Sequence, residues 1–163
     1  MIKDSLLAEY DHEMATTRKL IERVPLDKLA WKPHDKSMSL GGLAMHLANL
    51  PTWAATILDE KSFDLAAAPP NLDEPASTTD ILQHFDRSRA SARAALDKSD
   101  AEFDALWTLK RGGFEIFTLP RIAAFRSFVL SHLIHHRGQL SVYLRLNDVA
   151  VPAIYGPSAD EGF

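Results

Sequence analysis

Cysteine is absent from this 163-residue chain, which removes disulfide scaffolds, thiolate zinc sites and cysteine nucleophiles together. Any transition-metal site must therefore rest on His and carboxylate ligands, a donor set that suits Zn, Ni, Fe or Cu. A basic surplus is missing too. Against 22 Asp and Glu stand 18 Lys and Arg, for a formal charge of −4, and the cations are scattered among acids. Nucleic-acid binders draw most of their affinity from clustered Lys and Arg on phosphates, so no nucleic-acid partner is expected. No run approaches the roughly 20 uncharged apolar residues that a bilayer span needs. The acids in the opening MIKDSLLAEYDHE do not suit a signal peptide. The expectation is a cytoplasmic protein with no membrane partner. Phosphate loops are lacking as well, because neither Gly41-Gly42 nor Gly112-Gly113 belongs to a Gly-x-x-x-x-Gly-Lys pattern. The serines lack a nucleophile elbow.

What remains is an ordinary globular composition, 46% apolar and 25% charged, long enough for one domain over residues 1–163 with a genuine core. Leu6, Tyr10, Met14, Thr17, Ile21 and Val24 recur at helical spacing from Lys3 to about Val24, with His12, Lys19 and Arg23 on the other face. Pro25 stops that helix. A linker with Trp31 and Pro33 leads to Ser37 or Ser39, one of which caps a second helix reaching about Glu60. Leu43, Leu50, Trp53 and Ile57 share its apolar face with His46, and Pro51 inside it predicts a kink near Leu47. Residues 64–77 read as a Pro- and Ala-rich surface loop. Thr78 or Thr79 caps a third helix over about 79–98, with Ile81, Phe85, Ala92 and Leu96 on its apolar side. Aromatic and β-branched residues flank an RGG turn in 107–118, which predicts a short β-hairpin. Pro120 opens a last helix to about Leu146, and the tail is not helical. Helices of this length joined by ordinary loops predict an all-α helix bundle with a short hairpin before the last helix.

Among the seven histidines, helical phase separates candidates from bystanders. Phe125, Val129, Leu133, Leu140 and Tyr143 set the apolar stripe of the last helix. His132 and His136 fall within it, while His135 lies about 60° off its edge. Residues four apart point the same way with side chains roughly 6 Å apart, so two such imidazoles can reach one ion at about 2.0–2.1 Å. Buried histidines need satisfaction, and hydrogen bonds within the core would also supply it. His46 is a third histidine on the buried face of another helix, and bundles build metal sites from facing helices. His12 is expected in solvent, His84 and His135 at the surface, and His34 in a polar linker.

The run SHLIHHRGQLSVYLRLNDVAVPAIYGPSADE, residues 131–161, resembles the C-terminal signature of the DinB-like (DinB/YfiT) family of metalloproteins. SMSLGGLAMHLANLPTW, residues 37–53, resembles that family's second-helix motif, and the WKP of the linker and the hairpin fit it too. The resemblance covers nearly the whole chain. It implies a four-helix bundle in up-down-down-up order, often a homodimer, with His46, His132 and His136 as ligands of one divalent transition metal ion (Zn, Ni or Fe). Three neutral histidines leave such an ion its charge and an open position, so it can acidify a bound water or polarise a substrate oxygen or thiol sulfur. Some members activate the thiol of a low-molecular-weight cofactor. The expected function is a metal-dependent hydrolase or thiol S-transferase acting on a small-molecule substrate. The alternatives are a non-enzymatic stress-response metal-binding bundle and a bundle that binds small apolar ligands. Tyr10, Asp160 and Glu161 are conceivable groups behind the ligands, none with a spacing argument, and no general base is assigned.

Overall fold

The computed structural model of the chain describes residues 1–68 and 73–162. It is mostly helical with one small three-stranded sheet. The first helix, α1 (Ile2–Ile21), buries Leu6, Tyr10, Met14, Thr17 and Ile21 as the spacing predicts, and Glu13 lies unexpectedly among them. It ends three residues before Val24, which is buried all the same.

Of the two serines expected to cap the next helix, Ser39 does so. Its side chain accepts from the Gly42 amide at 2.9 Å while its hydroxyl donates to the Glu74 carboxylate at 2.8 Å. Gly41 lets the chain pass closely in this first turn, because a Cβ there would crowd Pro75 Cγ at 3.1 Å and Leu29 Cβ at 3.2 Å. Helix α2 (Leu40–Asn49) continues past Leu47, so the irregularity expected near that residue falls slightly later. The break falls at Leu50–Thr52, a 3₁₀ turn, before α3 (Trp53–Leu58). Pro51 has no N–H to offer the Leu47 carbonyl. Tightening residues 50–52 absorbs that loss locally, and Thr52 Oγ1 donates to the Asn49 carbonyl at 2.8 Å.

The loop expected over 64–77 falls partly on residues 69–72, which lie outside the described residues. Its start is more regular than expected. Strand β1 (Ser62–Asp64) pairs in parallel with β2 (Leu106–Arg111), which pairs antiparallel with β3 (Phe114–Pro120), in the order β1-β2-β3. The hairpin is therefore part of a three-stranded sheet. Gly112 (φ 57) and Gly113 (φ 82) form its turn with the two positive φ values that a twisted two-residue hairpin demands. The Asp64 carboxylate accepts from both their amides, at 2.8 and 2.7 Å, and so ties β1 to the turn.

Helix α4 (Thr78–Ala95) is capped by Ser77 rather than by either threonine. A short helix that the sequence reading passed over, α5 (Asp100–Asp104), begins with a Ser99/Glu102 capping box. The last helical stretch is continuous from Arg121 to Leu146 but not uniform: α6 (Arg121–Phe125), a π turn (Arg126–Ser131) and α7 (His132–Leu146). Buried residues show the irregularity directly. Ala124 and Phe125 recur five residues later as Val129 and Leu130, then the α spacing resumes through Leu133, Arg137, Leu140 and Leu144.

Helix α1 packs on α4 and α7, α2 packs on α4 and α7, and α3 packs on α4 and α6. The fully buried Trp107 donates to the Thr56 carbonyl at 3.1 Å and fastens the sheet to α3. No described helix is long and apolar enough to cross a membrane.

Candidate metal centre

Helices α2 and α7 face each other, and their contact brings His46 against His132 and His136. His46 Nε2 lies 3.5 Å from His132 Nε2, which lies 2.9 Å from His136 Nε2. Two bonds of 2.0–2.1 Å to a common ion separate their nitrogens by roughly 2.9–3.5 Å as the angle opens from 90° to 120°. The spacing therefore fits one ion. The π turn that ends at Ser131 sets the phase of α7 just ahead of His132, the kind of place where such turns serve a site.

Two of the three rings are held by a partner outside the cluster. His136 Nδ1 donates to Gln139 Oε1 at 2.7 Å, and the Gln139 amide nitrogen reaches His135 Nε2 at 3.1 Å. His132 is bonded by the Phe128 carbonyl one turn back. Outer partners of this kind fix the tautomer and the orientation of metal-binding imidazoles.

Burial keeps all three rings neutral. It pushes His46 down from 6.5 to about 4, helped by His136 and His132. Burial likewise lowers His132, with His136 and His135 adding to it. It lowers His136 against the opposing pull of Gln139. Neutral imidazole is the form that binds metal.

These shifts carry a sign for stability. The unfolded chain holds each histidine near 6.5, so it takes up protons before the folded chain does. Metal-free protein should therefore keep its full stability above about pH 6.5 and lose it progressively down to about pH 4. A displacement from 6.5 to about 4 caps the share of His46 at about 3 kcal/mol. Partial exposure of the ring brings the expected loss nearer ~1–2 kcal/mol. Thermal melts of the metal-free protein between pH 7.5 and 4.5 check this, and a His46→Ala variant should show the shallower dependence.

The other candidates lie elsewhere. His12 and His34 are exposed, and so is His135, which still meets His136 edge-on with ring centroids 4.9 Å apart. His84 corrects the surface expectation: it is half-buried and bonds Asn49 Oδ1 at 3.0 Å, because α4 packs closely on α2 there. Tyr10 is fully buried and donates to the Arg89 carbonyl at 3.0 Å. Asp160 accepts from the Val151 amide at 2.8 Å and pairs with Arg145. Glu161 accepts from the Ala153 amide at 2.6 Å. Both carboxylates secure the tail and neither joins the histidines. The sequence reading missed Gln139 and the buried Arg137, although both stand in the HHRGQ run.

A mostly helical chain with three convergent, neutral imidazoles on facing helices defines a class of helical proteins with a candidate three-histidine metal centre. The family model described as the DinB family matches residues 1–162, and the chain belongs to that family. It is similar to uncharacterized protein YrdA of Bacillus subtilis (strain 168), 28% identical over 165 residues, which covers 97% of this chain and 90% of that protein. The fold is similar to the crystal structure of a DinB-like protein from Bacillus cereus ATCC 10987, with a TM-score of 0.74 and 19% identity over 93% of this chain and 97% of that one. It is also similar to the DinB-like protein YjoA from Bacillus subtilis, with a TM-score of 0.66 and 17% identity over 88% and 92% of the two chains.

Proposed function

We propose that the chain is a metal-dependent enzyme, a hydrolase or a thiol S-transferase, acting on a small molecule at His46, His132 and His136. The observation that carries the reading is the donor set. Three Nε2 atoms converge, and among the described residues no fourth His, Asp or Glu joins them. An ion held there (Zn, Ni or Fe) keeps an open position and supplies Lewis acidity to a substrate oxygen or a thiol sulfur. The chain's own part is to present three neutral imidazoles where α2 faces α7, with His136 held by Gln139 and His132 by the Phe128 carbonyl. The pairings of α1, α2, α4 and α7 support the finer reading of a four-helix up-down-down-up bundle.

A structural ion is the reading to exclude, and the fold argues against it: among the described residues thirty hydrophobic side chains form one buried cluster. Chelation separates the two. Untagged protein loaded with one equivalent of Zn, Ni or Fe(II) should release it to a strong chelator and keep its helical circular dichroism. Hydrolysis of small esters or metal-dependent alkylation of small thiols should disappear with the ion and return with it. Collapse of the fold on chelation would make the ion structural, because binding energy is then folding energy.

A further inference from the structure

The seam that holds the histidines continues beyond them. Phe128 lies in the π turn, four residues before His132. On the opposite wall Trp53 follows His46 by seven residues, just past the Leu50–Thr52 turn. The Leu50–Thr52 turn packs on the Arg126–Ser131 turn at that level. Trp53 and Phe128 meet there as a near-parallel pair, with centroids 6.4 Å apart and planes at 29°. Phe117 stacks on Phe128 at 5.5 Å and 18°, and Phe63 stands edge-on to Trp53 at 5.2 Å and 75°. All four rings are only half-buried. The joint between sheet and helices does not require them to be open, since Trp107 and Leu109 already bury themselves in it. Large aromatic surface left partly open beside a polar centre is the usual composition of a small-molecule site, with apolar walls and a few convergent polar groups.

We infer that Trp53 and Phe128 form an apolar subsite of the histidine centre, and that the ligand is a small molecule with a metal-binding head group joined to a planar apolar body. The inference rests on the metal-centre reading and adds to it the class of substrate. The head group sits at the three Nε2 atoms, and the body lies about one helical turn away, roughly 5–6 Å along the seam, against the exposed parts of the two rings.

The test uses Zn-loaded protein and two probes that share a head group: acetohydroxamate and benzohydroxamate, which differ by a ring in place of a methyl. Calorimetric titration should show benzohydroxamate binding at least about tenfold more tightly. In Trp53→Leu and in Phe128→Leu the two affinities should converge, with that of acetohydroxamate unchanged. Trp53→Phe keeps a ring and should keep most of the preference, and thermal melts verify that each variant is folded. Acetohydroxamate binding with no preference for the ring in the parent overturns the subsite and leaves the metal centre standing. Failure of both probes to bind protein that retains its Zn overturns the open position on the ion and the proposed ligand class with it. Sedimentation velocity covers the remaining occupant: if the leucine variants change the association state and leave the probe ratio intact, the rings face a second copy of the chain and the inference fails.

Discussion

His46→Ala, His132→Ala and His136→Ala should each take the metal content of untagged protein from about one equivalent to near none, read by elemental mass spectrometry after loading with Zn, Ni or Fe(II). The expectation follows from the donor count. Three protein ligands are the smallest set that catalytic zinc sites use, and no nearby carboxylate among the described residues can replace a lost imidazole. The variants should remain folded, because each truncation removes a half-buried polar ring rather than a core side chain. Gln139→Ala grades the result. It leaves all three ligands but frees the His136 Nδ1 proton from its acceptor at 2.7 Å, and loss of such an outer partner costs about 10–100-fold in metal affinity. A full equivalent of metal in the His136→Ala variant would sink the ligand assignment. Equal metal affinity in Gln139→Ala and the parent would mean that Gln139 serves only His135.

The three histidines were legible because the sequence carries their geometry in its helical phase. His132 and His136 sit on the stripe marked by Phe125, Leu133 and Leu140, and His46 sits among Leu43, Leu50 and Trp53. The resemblance reached the same residues independently. What escaped notice has physical reasons. The π turn at Arg126–Ser131 contains neither proline nor glycine, and nothing in its composition announces an extra residue per turn. Strand β1 is three residues long and pairs with β2 from the far side of α4, a non-local contact that no local pattern encodes. The α5 helix did have its signal in Ser99-x-x-Glu102, but five residues give too few turns for a periodicity. Arg137 also had one. It lies four residues after Leu133 and three before Leu140, in phase with the buried stripe, but arginine is rarely fully buried and the prior weighed against it.

That arginine yields the second large effect, on stability. Arg137→Met should lower the stability of the protein by about 3–5 kcal/mol, or roughly 6–20 °C in melting temperature for a chain of this size. The Arg137 side chain is 1% exposed and its Nη1 stands 2.6 Å from Glu13 Oε2, itself on a side chain 8% exposed. Nη1 also donates to the Glu13 carbonyl at 3.2 Å, whereas Nη2 has no hydrogen-bond partner among the described residues. The tail closes over this pair: Tyr155 donates its hydroxyl to Glu13 Oε1 at 2.8 Å, and its ring lies 5.0 Å from the guanidinium carbon. Removing either charge strands the other where water cannot reach it, which costs far more than the intact pair contributes. Glu13→Gln should therefore be nearly as damaging as Arg137→Met, and the double variant Glu13→Leu with Arg137→Met should regain most of the loss. Tyr155→Phe removes one hydrogen bond at a partly exposed position and should cost about 1 kcal/mol. Urea unfolding of the parent, Glu13→Leu, Arg137→Met and the Glu13→Leu/Arg137→Met variant completes a double-mutant cycle. Additive losses would show that Glu13 and Arg137 act separately. Strong coupling would show that the pair fixes α7 against α1, one residue past His136.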